Sequence, residues 1–226
     1  MALNLSPLGI ALLATSAVIL ATRPLRATRY LLPLRLLVYS SLVVEVVGLL
    51  LAWNGVRNIW LYDLYLPWEF VLVLLIVVPG LPVRARTITL VAGLVAYGVA
   101  CVYDLTRGPD GAWGQLGQLS AVSLLVSAVV LLPLLFIALV RTANTPERSL
   151  LAIPDVWLLL ALMVYFGGIV PCIAFFNHFL ERSNFGAIDR VITVVQVLFV
   201  LRSALTTVAC WKLRDTVPPP ATLNKG

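Results

Sequence analysis

The sequence predicts an all-α polytopic membrane protein with seven transmembrane helices, its N-terminus outside and its C-terminus inside. Three observations carry this expectation. The chain is 61% hydrophobic and only 12% charged, about half the charge of a soluble domain, which leaves too little polar surface to face water. Apolar runs of roughly 20 residues, enough to cross a ~30 Å hydrocarbon core, recur along the whole chain. The basic residues sit in short connections and are shared unequally between the two sides, the pattern that sets membrane orientation.

The spans fall at 5–22, 31–53, 60–83, 87–104, 117–140, 153–176 and 187–211. The first could be mistaken for a signal peptide, but residues 1–22 contain no Lys or Arg, whereas a signal peptide has a basic n-region. Arg23, Arg26, Arg29 and Arg35 follow it, Arg84 and Arg86 join spans three and four, Arg141 and Arg148 join five and six, and Lys212, Arg214 and Lys225 follow span seven. These eleven lie on one side; Arg57, Arg107, Arg182 and Arg190 make four on the other. The majority side is the inner one. Trp53, Trp60 and Trp113 near the outer boundary, and Trp157 and Trp211 near the inner one, suit interfacial belts.

One domain, residues 1–211, accounts for nearly everything, and 212–226 form a polar, Pro-rich cytoplasmic tail expected to be disordered. No fixed-period repeat supports an inverted-repeat architecture. The net charge of +6 reads as topology and contact with anionic membrane lipids rather than nucleic acid, because no basic face is left free of membrane. Cys101, Cys172 and Cys210 are scattered through apolar runs and read as small buried hydrophobes. His178 is the single histidine, so neither a metal site nor a cofactor is expected.

The informative residues are the polar ones inside the spans. Glu45 lies eight residues from Trp53, and Glu69 eight residues from Leu61. At 1.5 Å per residue each is about 12 Å below the outer boundary, so this counting sets the two carboxylates level on neighbouring antiparallel helices. Asn58, Tyr62, Tyr65 and Glu69 form one helical stripe, and Ser41, Glu45 and Gly48 form another. Gln196 on span seven falls at the same depth, and Arg202 lies deeper. Tyr97, Cys101 and Asp104 share a face of span four, which makes Asp104 a further candidate for the lining. Two level carboxylates do not both ionise; one keeps its proton. An ionisable group at mid-membrane costs about 2.5–3.5 kcal/mol on insertion scales, which marks a functional site by default. The competing reading is a hydrogen-bond network that fixes helix register.

Pro67-Trp68-Glu69 within "LPWEF" resembles the PxEE motif of small membrane-bound lycopene cyclases, which implies Glu69 as a protonating acid. Phe70 stands where that motif has its second acid, and no second copy occurs. The seven-span, N-out plan resembles that of rhodopsins, but span seven has no lysine for a retinal Schiff base. The leading expectation is a receptor-like module sensing a small ligand or proton through Glu45, Glu69, Tyr62, Tyr65, Gln196, Arg202 and Asp104. It would work with a cytoplasmic signalling partner or as a homo-oligomer in the inner (plasma) membrane. The alternatives are a proton-coupled transporter or channel and an acid-catalysing enzyme acting on a lipid or isoprenoid.

Overall fold

The computed structural model describes residues 5–22, 30–56, 58–107, 121–144 and 149–215. The expectations placed on Arg23, Arg26, Arg29, Arg57, Trp113, Arg148 and Lys225 lie outside these residues, as does most of the tail. Among the described residues there are seven α-helices and no strand: α1 (Ser6–Ala21), α2 (Leu31–Trp53), α3 (Ile59–Val77), α4 (Val83–Arg107), α5 (Ala121–Ala143), α6 (Pro154–Glu181) and α7 (Phe185–Asp215). Helix is the form expected here, since a lipid-exposed backbone must satisfy its own N–H and C=O groups.

Six helices, α2 to α7, are long and apolar enough to span a membrane. The first is the exception: α1 has 16 residues, about 24 Å at 1.5 Å each, short of the usual hydrocarbon thickness. At the other end α7 runs on to Asp215, so the first four residues assigned to the tail are helical. Pro67, Pro133 and Pro171 lie inside α3, α5 and α6, and each helix continues through its proline.

The helices form a closed ring in the order α1, α2, α3, α5, α6, α7, with α7 packed back on α1; α4 stands outside the ring against α5 and α3. Ring closure is specific. The Leu5 amide donates to Gln196 Oε1 at 3.2 Å, and Ser16 Oγ meets Thr207 Oγ1 at 2.9 Å. Both pairs are 191 residues apart, so α1 and α7 run parallel in one register, as the first and last of an alternating seven must. Gly168 lets α6 and α7 approach: a Cβ there would fall 2.7 Å from Leu198 Cδ1. Small residues at a helix interface let two backbones come this close.

The arginines that set orientation also finish helices. Arg35 Nη2 donates to the Leu20 carbonyl at the end of α1. Arg86 donates to the Leu81 and Pro79 carbonyls, and Arg141 to the Gly80 carbonyl, beyond the end of α3. The last carbonyls of a helix have no intrahelical donor and carry partial negative charge, so a cation is stabilising there. Inside the ring, toward these arginines, Leu20, Leu34, Phe70, Val73, Leu74, Leu131, Leu135, Leu162 and Phe166 form a buried apolar core.

Candidate functional site

The other half of the ring, at the end carrying the α2–α3 and α6–α7 turns, is hollow. The cavity holds about 520 Å³ and is lined from α1, α2, α3, α5, α6 and α7. Most of its wall is aliphatic or aromatic. Its polar groups are Ser6, Glu45, Asn58, Tyr62, Tyr65, Glu69 and Gln196, with Cys172 and the phenol of Tyr165.

Helical spacing delivers the first two stripes as expected. On α3, Asn58, Tyr62, Tyr65 and Glu69 face one way, and their partners on α2 follow in reverse order. Asn58 Nδ2 donates to the Gly48 carbonyl at 3.0 Å, the Tyr62 hydroxyl to Glu45 Oε2 at 3.4 Å, and Tyr65 shares a hydrogen bond with Ser41 Oγ at 2.5 Å. Gly48 is required by this arrangement, because a Cβ there would lie 2.9 Å from the Tyr62 hydroxyl oxygen.

That ladder corrects the level placement of the two glutamates. Residue 48 faces 58, 45 faces 62 and 41 faces 65, so Glu69 comes opposite Leu37 and Val38, about two helical turns or 12 Å deeper than Glu45. The reason is the turn. The chain reverses at Trp53-Asn54, so residues beyond it already descend beside α2, whereas counting from Leu61 places the reversal several residues too late. Side chains tilt toward the N-terminus of their own helix, so in this antiparallel pair both carboxylates lean toward the gap between them and line one cavity.

Glu69 does not pair with Glu45. It is 1% exposed and forms an ion pair through Oε1 with Arg202 Nη1 on α7. Arg202 is 8% exposed, and its guanidinium carbon lies 4.3 Å from the ring centroid of Tyr165 on α6. The cation is thus held between a carboxylate and an aromatic face, two partners that offset desolvation of a buried guanidinium. Arg202 does not line the cavity; it stands behind Glu69 and Tyr165, which do. Its depth below Gln196 in sequence is as counted, but its partner is the deeper glutamate. Glu69 Oε2, buried in the lining, has no hydrogen-bond partner among the described residues.

Gln196 lines the cavity and uses Oε1 to hold the first amide of the α1 end. Asp104 is the candidate that the structure removes: its Oδ2 accepts from the Ser123 amide at 2.8 Å, in the first turn of α5, and it lies away from the lining. The face it shares with Tyr97 and Cys101 turns toward α5 and α3, where Tyr97 stacks on Phe70 at 4.2 Å between centroids. An acidic group at a helix N-terminus satisfies free amides. Sequence reasoning missed Tyr165. The available signal was that a mid-membrane arginine needs a ring face or carboxylate, and Tyr165 is the one tyrosine on α6.

Fold and site together define a helical membrane bundle with a polar-headed cavity in one half and a packed core in the other. Comparison with protein-family models, with curated proteins and with solved structures gave no match. The likeness of "LPWEF" to lycopene cyclases therefore stays a resemblance carried by five residues, and the acid it pointed to, Glu69, is ion-paired with Arg202.

Proposed function

We propose that the chain is a receptor-like membrane module that takes a small ligand in the outer half of the bundle and passes its occupancy to the inner face. The observation that carries this reading is Glu69 Oε2, a buried acceptor with no partner among the described residues, in the lining of a cavity of about 520 Å³. Buried polar atoms are normally satisfied, and a mostly apolar cavity of this size with a few convergent polar groups is the usual form of a small-molecule site. The packed core on the inner side of this cavity favours binding over open passage. An occupant touching α2, α3, α6 and α7 at once would bias their packing, and a cytoplasmic partner or a second copy would read that change. The membrane we assign it to is the inner (plasma) membrane, with the arginine-rich end toward the cytoplasm.

A proton-coupled carrier is the second reading. It is favoured by a separate cavity of about 380 Å³ at the opposite end, lined by Tyr30, Ile76, Gly80, Ala138, Thr142 and Asp155. The enzyme reading loses its acid, since an ion-paired Glu69 is a poor proton donor.

Native mass spectrometry of the purified protein tests the proposal. The wild type is expected to retain a small mass that a Glu45→Gln, Tyr62→Phe variant loses. A wild type that stays empty, alone and in the presence of membrane extract, would remove the ligand-binding reading. Counter-flow in proteoliposomes would then decide for the carrier.

A further inference from the structure

The charges around the cavity do not cancel. Glu69 and Arg202 neutralise one another, which leaves the Glu45 carboxylate, among the described residues, with one long hydrogen bond from Tyr62, at 3.4 Å. The groups facing Glu45 from the helices around it can be named. On α3 they are Tyr62, Tyr65 and Glu69, on α7 Gln196, with Arg202 behind Glu69, and on α6 Tyr165 and Cys172. Helix α1 carries no ionisable side chain, and α5 contributes Leu124. Asp104 on α4 is engaged by the Ser123 amide. Among the described residues the cavity thus has three full charges near it, two negative and one positive, and a deficit of one positive charge.

A lone carboxylate in a lipid-enclosed cavity is neutralised either by a proton or by a cation. The rest of the polar end is made of side-chain amides, a serine hydroxyl and phenols, and among the described residues that line it none is cationic. Aromatic rings from Tyr62, Tyr65, Phe176 and Phe199 surround it, and ring faces attract ammonium groups. An anion would meet two carboxylates there and be repelled.

We infer that the cavity is a site for an organic monocation, an amine with an apolar body, whose ammonium group replaces the proton on Glu45. This rests on the ligand-binding reading above. The exchange balances: an ammonium enters with one positive charge, and one proton leaves Glu45 for solvent at the outer end. Proton occupancy and amine occupancy exclude each other, so either can set the state of the bundle.

Three probes of nearly equal size separate the possibilities: 2-phenylethylamine, 2-phenylethanol and phenylacetate, titrated calorimetrically onto the full chain in detergent. The amine is expected to bind most tightly. Its affinity should rise about tenfold per pH unit through the range in which Glu45 holds its proton, then level off. Calorimetry in two buffers of different ionisation enthalpy should find one proton released per amine in that range. Glu45→Gln should lower amine affinity by about tenfold or more and abolish the slope while alcohol binding persists. Glu45→Asp should keep the slope, which separates a charge requirement from misfolding. An alcohol that binds as tightly as the amine with no proton release, or a carboxylate that binds best, overturns the inference and leaves the cavity reading standing. If none of the three binds, reaction of Cys172 with an impermeant thiol reagent from the outer side decides. A reactive Cys172 overturns the monocation inference alone; a protected one overturns both readings.

Discussion

At the scale of single residues, the most consequential contact is the ion pair of Glu69 and Arg202. Removing one partner leaves the other charge buried and alone, which in protein interiors is worth about 3–5 kcal/mol, whereas replacing both by apolar groups is often near neutral. Glu69→Gln and Arg202→Met are therefore each expected to lower the midpoint of thermal unfolding in detergent, and Glu69→Leu combined with Arg202→Met to recover most of the loss. Single variants as stable as the wild type would show that the pair is not formed. The contact also marks a limit of sequence reading. Glu45, Glu69 and Arg202 announce themselves, because an ionisable group in a run of Leu and Val has no other reason to be there. Which of them pair depends on the rotation and height of three helices far apart in sequence. Tyr165 gives no such signal, since an aromatic residue in an apolar span is ordinary.

At the scale of helices, spacing along one helix was legible and height between two was not. The i, i+4, i+7, i+11 stripe from Asn58 to Glu69 and the Ser41, Glu45, Gly48 stripe face each other as their periods require. Relative height depends on where the chain reverses, and the polar stretch around residues 54–58 does not say which of its residues is the apex. The observed register makes a direct prediction. Single-cysteine pairs at 45 and 62, and at 41 and 65, should cross-link in membranes with a short bifunctional reagent, and a pair at 45 and 69 should not. Efficient coupling of 45 to 69 would restore the level placement and shift α3 by about two turns. Asp104 makes the same point from another side: its face on α4 was read correctly, but α4 stands outside the ring, so that face meets α5 instead of the cavity.

At the scale of the whole molecule, two asymmetries run along the same axis. One end carries the cavity lined by carboxylates and phenols; the buried apolar core lies toward the other, which is finished by arginines that hold helix-end carbonyls. Positive residues favour the cytoplasmic side, so the cavity should open outward. A reporter active only in the cytoplasm, fused after residue 226, is expected to be active, and the same reporter inserted in the α2–α3 turn is expected to be silent. The reverse pattern would turn the molecule over and place the cavity on the cytoplasmic side. An odd number of spans is needed to put the two chain ends on opposite sides. The parallel register of α1 with α7 agrees with that count, although α1 is short.

The sequence by itself determined the class of molecule, the number of helices, their approximate limits and the polar residues to watch. Those features are set locally, by composition, by run length against the thickness of a bilayer and by helical period. Only the tertiary structure decided that six helices close into a ring with α4 outside, that Arg202 takes Glu69 and leaves Glu45 to Tyr62, and that the space between them is a cavity. Those outcomes turn on the height and rotation of helices relative to one another. They are fixed by contacts such as Gly168 on Leu198 and Gly48 under Tyr62, made between residues that no local pattern links.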